Sequence, residues 1–301
     1  MWGVMCRIVG ERVETSVPAW LLNAGATYAI IRFITAVAQQ LMADPAAHGF
    51  TVANEYTLFV QSWDRATTDV ASLAFGRNVL GHEAVGLIPD VYYINHFGYR
   101  DVRHSAVSLP MWRDRRNAIA WRGSVTGGGD FYSPSDIPRV QLALRCRDIA
   151  VADVALFGVH STMAGIFPPE QIEAFITAER LEGDRWHMPH FGTYRYAIDI
   201  DGHANAWAFL EKLILGCCVL KVGSPYEQWF YGDLRPWVHY VPVRADLSDL
   251  DERIDWCLVH QDECEWIAQN GARFAASCTY EREVCRACGP MLAAASVRPR
   301  R

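Results

Sequence analysis

One stretch constrains the fold more than any other: Tyr196 to Val222, YAIDIDGHANAWAFLEKLILGCCVLKV. A strand-like run, YAIDID, meets a turn at Gly202. Helical spacing follows in NAWAFLEKLIL, then Gly216 as a stop and a second strand-like run, CVLKV. Strand, helix, strand in so short a span fits parallel strands joined by a crossover helix. The alternation extends to both sides. Upstream lie a strand in NAIAWRGS, a Gly/Ser/Pro-rich loop VTGGGDFYSPSDIP, a helix VQLALRCRDI, a strand DVALFGV and a helix PPEQIEAFITAERL that Pro168-Pro169 can start. Downstream lie a strand PWVHYVPV (236–243) and a helical tail beginning DERIDWCLV, for which Ser248 offers an N-cap. Residues 116–245 are therefore expected to form a Rossmann-like parallel sheet, with any ligand beyond the carboxyl ends of its strands.

The first third is harder to parse. Residues 18–43 read as a buried amphipathic helix, and TLFVQSW (57–63), AVGLIPDVYYI (84–94) and AVSLPMW (106–112) as short strands. The expected division is an N-terminal lobe over 1–112, a C-terminal lobe over 113–290 and a loose tail over 291–301.

Composition excludes several classes. A net charge of −6 argues against a dedicated nucleic-acid binder. No window reaches the roughly 18 uncharged apolar residues of a membrane span, and the N-terminus lacks the pattern of a signal peptide, so a cytoplasmic location is expected. Nine scattered cysteines suggest a reduced compartment. Cys285-Arg-Ala-Cys288, with Cys278 nearby, could be half of a zinc site, but no second ligand pair completes it, and the simpler reading is helix-tail thiols.

Two strand-to-helix turns carry the chemistry. In a parallel sheet, Trp121-Arg122-Gly123-Ser124-Val125-Thr126 and Asp201-Gly202-His203-Ala204-Asn205-Ala206-Trp207 would share one edge. A helix starting after Gly202 would aim free N–H groups into that crevice, an anion site. Small side chains at Gly202, Ala204 and Ala206 admit a diphosphate, Arg122 offers a forked guanidinium, and Ser124 and Thr126 offer hydroxyls. Lys212 could reach back from the helix or simply snorkel. Asp199 and Asp201 form D-x-D on one face of a strand, which raises a metal reading; a glycine closing a strand is also what a plain turn needs.

In order and spacing, IAWRGSVTG (119–127), RYAIDIDGHANAW (195–207), FLEKLILG, VLKVGSPYEQWFY (219–231), LRPWVHYVPVRADLSDL (234–250) and IAQNGARFA (267–275) resemble glycosyltransferase family 90, the CAP10 and Rumi-type family that also contains bacterial lipopolysaccharide-modifying enzymes. The resemblance implies an α/β, GT-B-like fold of two Rossmann-like lobes with parallel sheets, the N-terminal one shortened. It implies an inverting transfer of glucose or xylose from a UDP-sugar to a hydroxyl of a glycan, lipopolysaccharide or protein, with no metal and no cofactor beyond the donor. Arg122, Gly123 and Ser124 match the family's arginine-glycine-serine turn, which would contact the donor phosphates, and His203 to Trp207 match its second turn. Two arginines of the animal enzymes fall at Val125 and Ala208, and Lys212 is the expected substitute cation. The family's base, an aspartate after an early strand, matches Asp64, with Asp69 as fallback; it would take the acceptor hydroxyl's proton. Trp229, Phe230 and Trp237 could wall the donor pocket or belong to the core, Glu227 could hold ribose, and His239 reads as structural. The rival expectation is a catalytically weak or inactive member that binds nucleotide or glycan. A Rossmann oxidoreductase would need G-x-G-x-x-G after a strand, which is missing.

Overall fold

The computed structural model describes residues 3–10, 12–21, 25–161, 163 and 166–299. The chain divides into two compact α/β units: residues 1–99 with 225–232 and 277–301, and residues 100–224 with 233–276.

In the first unit, strands β1 (Gly3–Val9), β2 (Arg12–Ser16), β3 (Asn54–Gln61), β4 (Ser72–Ala74) and β6 (Val85–Leu87) form a sheet in the order β2-β1-β3-β4-β6. β1 runs antiparallel to both β2 and β3, whereas β3, β4 and β6 are parallel, so this lobe's sheet is mixed. A two-residue strand β5 (Arg77–Asn78) pairs with β11 (Tyr226–Glu227), and Arg77 donates to the Glu227 carboxylate at 2.6 Å. Helix α1 (Gly25–Ala43) buries Ile30, Phe33, Ile34, Val37 and Leu41, the three- and four-residue spacing legible in the sequence. Of the helix expected over 18–43, residues 22–24 lie outside the described residues. A short α2 (Pro45–His48) follows, and α3 (Val91–Asn95) replaces the end of the strand expected over 84–94. Asp90 turns the chain there, accepting from the Tyr92 and Tyr93 N–H groups at 2.9 Å as an N-cap.

The tail is not loose. Helix α10 (Tyr280–Ala294) packs Val284, Ala287, Cys288 and Met291 into the first unit's core, and β13 (Ser296–Pro299) pairs antiparallel with β3. The expected boundary near 290 therefore moves to 277, because the apolar face of α10 belongs to the N-terminal sheet.

The second unit begins with α4 (Arg100–Ala106). Residues 107–111, expected in a strand, form a turn and then irregular chain, and the Ser108 hydroxyl donates back to the Ser105 carbonyl. Then come β7 (Arg116–Val125), α5 (Pro138–Cys146), β8 (Ala152–Val159), α6 (Pro169–Ala178), β9 (Tyr194–Asp199), α7 (Phe209–Ile214), β10 (Cys218–Val222), β12 (Val241–Val243), α8 (Leu250–Val259) and α9 (Gln261–Ser277). All five strands are parallel, in the order β12-β10-β9-β7-β8. The chain leaves β7 toward one side and returns to its other side with β9, so the topological switch point lies between these two strands. The expected strand over 236–243 shrinks to its last three residues, because His239 N–H turns back to the Arg235 carbonyl and Trp237 adopts φ 63°. Among the described residues no helix is long and apolar enough to cross a membrane.

Candidate functional site at the switch point

The loops that follow β7 and β9 meet. A Cβ placed on Gly202 would lie 2.8 Å from Thr126 Cγ2 and 3.1 Å from Arg139 Nη2, so only glycine fits there without a shift. A Cβ on Gly128 would come within 3.4 Å of the His203 carbonyl, and the His160 and His203 rings stand 6.1 Å apart. The two turns singled out in the sequence thus sit side by side where an open parallel sheet binds ligands.

Beneath them is a buried cluster of charge. Asp199 is fully buried; Lys212 Nζ lies 2.8 Å from one carboxylate oxygen and Lys221 Nζ 3.0 Å from the other. Lys221 also lies 3.5 Å from Asp201, which accepts from the Ser224 hydroxyl at 2.5 Å and the Ala206 N–H at 3.4 Å. Arg139, in the first turn of α5, donates to the carbonyls of Asp201 at 2.9 Å, Ser124 at 3.1 Å and Ile200 at 3.4 Å. One guanidinium therefore ties both loops together. Burial pulls the Arg139 guanidinium down to about 10, which leaves it charged at neutral pH. Burial alone would raise Asp199, but Lys212 and Lys221 hold it below the usual carboxylate range; at Asp201 burial outweighs Lys221 and the carboxyl rises. The D-x-D run is thus a structural pair whose oxygens already face lysines, a hydroxyl and an amide.

The structure brings some of the expected site residues together at this edge and places others elsewhere. Gly202, His203, Ala204, Asn205, Ala206 and Trp207 lie in the loop after β9, but no helix begins among them. The Gly202 N–H turns to the Ala204 carbonyl, Asp201 takes the Ala206 N–H, and α7 starts only at Phe209. An Asp side chain competing for these amides explains the delay. Ser124 and Thr126 lie at the end of β7, and the buried Thr126 hydroxyl and both amide atoms of the buried Asn205 have no hydrogen-bond partner among the described residues. Gly123 sits under the Trp121 ring, with no room for a Cβ.

Arg122 does not face this crevice. Its guanidinium donates to the Asp153 carboxylate at 2.5 Å and the Asp153 carbonyl at 2.7 Å, and lies 3.8 Å from the centre of the Trp186 ring. Asp153 is in register with Ala120, so the arginine leans toward the amino ends of the strands, away from Gly202. Lys212 is likewise not a mobile cation: it is buried and committed to Asp199. The cations that organise the crevice, Arg139 and Lys221, escaped notice because one lies in the helix after a long loop and the other inside an apolar strand. The Pro-Arg at the start of VQLALRC was the available signal.

In the first unit, β3 ends at Gln61, two residues before the end of the strand expected over 57–63, and Asp64 lies in the bend over 63–65. Asp69 accepts from the Ala84 N–H at 3.2 Å, as a loop-closing side chain does. Trp229 and Phe230 are buried, with the Trp229 ring 5.1 Å from Tyr93, and Glu227 is paired with Arg77; all belong to the first unit. Trp237 packs 4.9 Å from Trp256, and His239 Nδ1 accepts from the Arg235 N–H at 2.9 Å, a structural role in a turn.

With this geometry in view, comparison with known proteins defines the class. Residues 132–286, more than half of the chain, match the model of glycosyl transferase family 90, and the chain belongs to that family. Protein O-glucosyltransferase 1 of Rattus norvegicus is 34% identical over 58% of this chain and 40% of its own length. Protein O-glucosyltransferase 2 of Danio rerio is 44% identical over 28% of this chain and 17% of its own. An uncharacterized protein, 027R, of Frog virus 3 is 36% identical over 56% of this chain and 18% of that protein. The matches therefore span less than half the length of each of these relatives. Among solved structures, Anabaena HepE in complex with UDP-glucose aligns at 14% identity over 70% of this chain and 58% of that one, with a TM-score of 0.42, too loose a superposition to bear on function.

Proposed function

We propose that the protein is an inverting glycosyltransferase that moves glucose or xylose from a UDP-sugar to a hydroxyl of a glycan, lipopolysaccharide or protein. The observation that carries this reading is the charge beneath the paired loops: Lys212, Lys221 and Arg139 against Asp199 and Asp201, three cations to two anions, a net +1. Such a floor stabilises a leaving diphosphate without rearranging as charge develops. The Asn205 amide and Thr126 hydroxyl supply donors for the same group. Because the D-x-D carboxylates already face lysines, the reading includes transfer without a divalent ion. Asp64 is the proposed base, taking the proton of the acceptor hydroxyl as that oxygen attacks the anomeric carbon opposite the departing UDP.

Slow release of UDP from UDP-glucose or UDP-xylose, undiminished by EDTA, is the expected result. Asp64→Asn should lower transfer by about 100-fold or more while leaving UDP binding intact. A second reading, a member that binds nucleotide without turnover, is favoured by Arg122 being tied to Asp153, and agrees with Val125 and Ala208 standing where the family resemblance implies arginines. UDP binding in calorimetry with no UDP release from any UDP-sugar would select it.

A further inference from the structure

The second unit holds a feature that sugar transfer does not use. Cys218, the first residue of β10, Cys257 of α8 and Cys264 in the first turn of α9 are all fully buried, and their sulfur atoms lie within 4.8 Å of one another. Three separate elements must converge to place them so. The Cys264 sulfur also lies 3.7 Å from the Cys257 carbonyl. The cluster thus gathers three sulfurs in one dry volume.

We propose that Cys218, Cys257 and Cys264 form a binding site for a thiophilic divalent cation of the zinc class, pinning the α8–α9 corner to the central sheet. Thiolates are the ligands such ions prefer, and each sulfur that binds gives up its proton. Three thiolates around a divalent ion leave one negative charge, which a neutral fourth ligand does not add to. The run Cys257-x-x-His260-x-x-x-Cys264 also has ligand-type spacing. His260 itself stands outside the cluster. Its Nδ1 lies 2.9 Å from the Trp256 carbonyl, the contact that orients a ligating imidazole through its other nitrogen, so it is the candidate for the fourth tetrahedral position. The Cys285-Arg-Ala-Cys288 run belongs to the other unit; there Cys285 is exposed and the Cys288 sulfur turns to the Val284 carbonyl.

The test uses the full chain, refolded from denaturant under a phosphine reductant and freed of metal, then titrated with Cd(II) and with Zn(II). We expect a thiolate-to-cadmium absorption band that saturates at one ion per chain, and a thermal midpoint that rises with either metal. Cys264→Ser should weaken cadmium binding by about 100-fold, and Cys285→Ser should leave it unchanged. Refolded wild-type protein that develops no band and no midpoint shift with excess of either ion would overturn the proposal and leave the three thiols as reduced core. Should Cys264→Ser not fold, the wild-type titration decides by itself. UDP binding is not read in this experiment, so its outcome is independent of the transferase reading.

Discussion

The two units are built from the same kinds of elements but by opposite routes. The C-terminal sheet is assembled from nearby segments, each strand followed by one that neighbours it except at the switch from β8 to β9, which passes over β7. The first unit is completed by residues from later in the chain: Thr57 of β3 is in register with Ser296 of β13 in its main sheet, and Arg77 of β5 with Glu227 of β11 in a separate two-stranded one. Their buried carboxylates differ as well. Asp199, in the second unit, is met by two lysines and held low; Asp90, in the first, has only N–H and O–H donors, and burial raises it to about 7. Local assembly leaves a legible sequence pattern, and pairing a buried carboxylate with cations decides which protonation state the fold selects.

The largest effect should come from ending the chain at Ala276. This removes α10 and β13, and with them Val284, Ala287, Cys288 and Met291 from the first unit's core. Hydrogen exchange should then show the first unit unprotected and β7 to β10 still protected; equal protection in both would mean that the long-range closure is dispensable.

A smaller effect is expected within the second unit. Lys221→Met leaves Asp201 and one oxygen of Asp199 without their cation and should cost about 3–5 kcal/mol in denaturant unfolding, the range for breaking a buried ion pair. A loss below about 1 kcal/mol, the range of a surface pair, would show that the charge cluster is wetter than its burial implies.

The last effect, which emerges only as pH rises, concerns Asp90. The folded value of Asp90, about 7, lies above its ordinary 3.8. Its contribution to stability is therefore fully present below about pH 3.8 and is lost as pH rises through about 7. Asp90→Asn keeps a good N-cap and removes that loss. Wild type and variant should unfold alike near pH 4, and the variant should be the more stable at pH 8; parallel curves across that range would contradict the reading.

Much of the second unit was legible because parallel strands and their helices write themselves as apolar runs separated by Gly and Pro. Gly216 ends α7 with φ 71°, as its position after FLEKLIL suggested. The two loops were also legible as turns after strands. Whether Arg122 would face them was not: alternation assigns a side chain to one face of the sheet, but Asp153 and Trp186, far along the chain, decide which way the guanidinium leans. Lys212 misled for the same reason, since its partner Asp199 was visible only as half of a D-x-D run.

The amino-acid sequence by itself determined the class of fold, the family and the two segments that meet at the candidate site, because periodicity and short motifs are properties of neighbouring residues. Only the tertiary structure decided which cations serve those segments, that the C-terminal helix returns to the first unit, and that Cys218, Cys257 and Cys264 share one small volume. Each of these depends on contacts between residues distant in the chain, where burial and charge compensation select one partner from many.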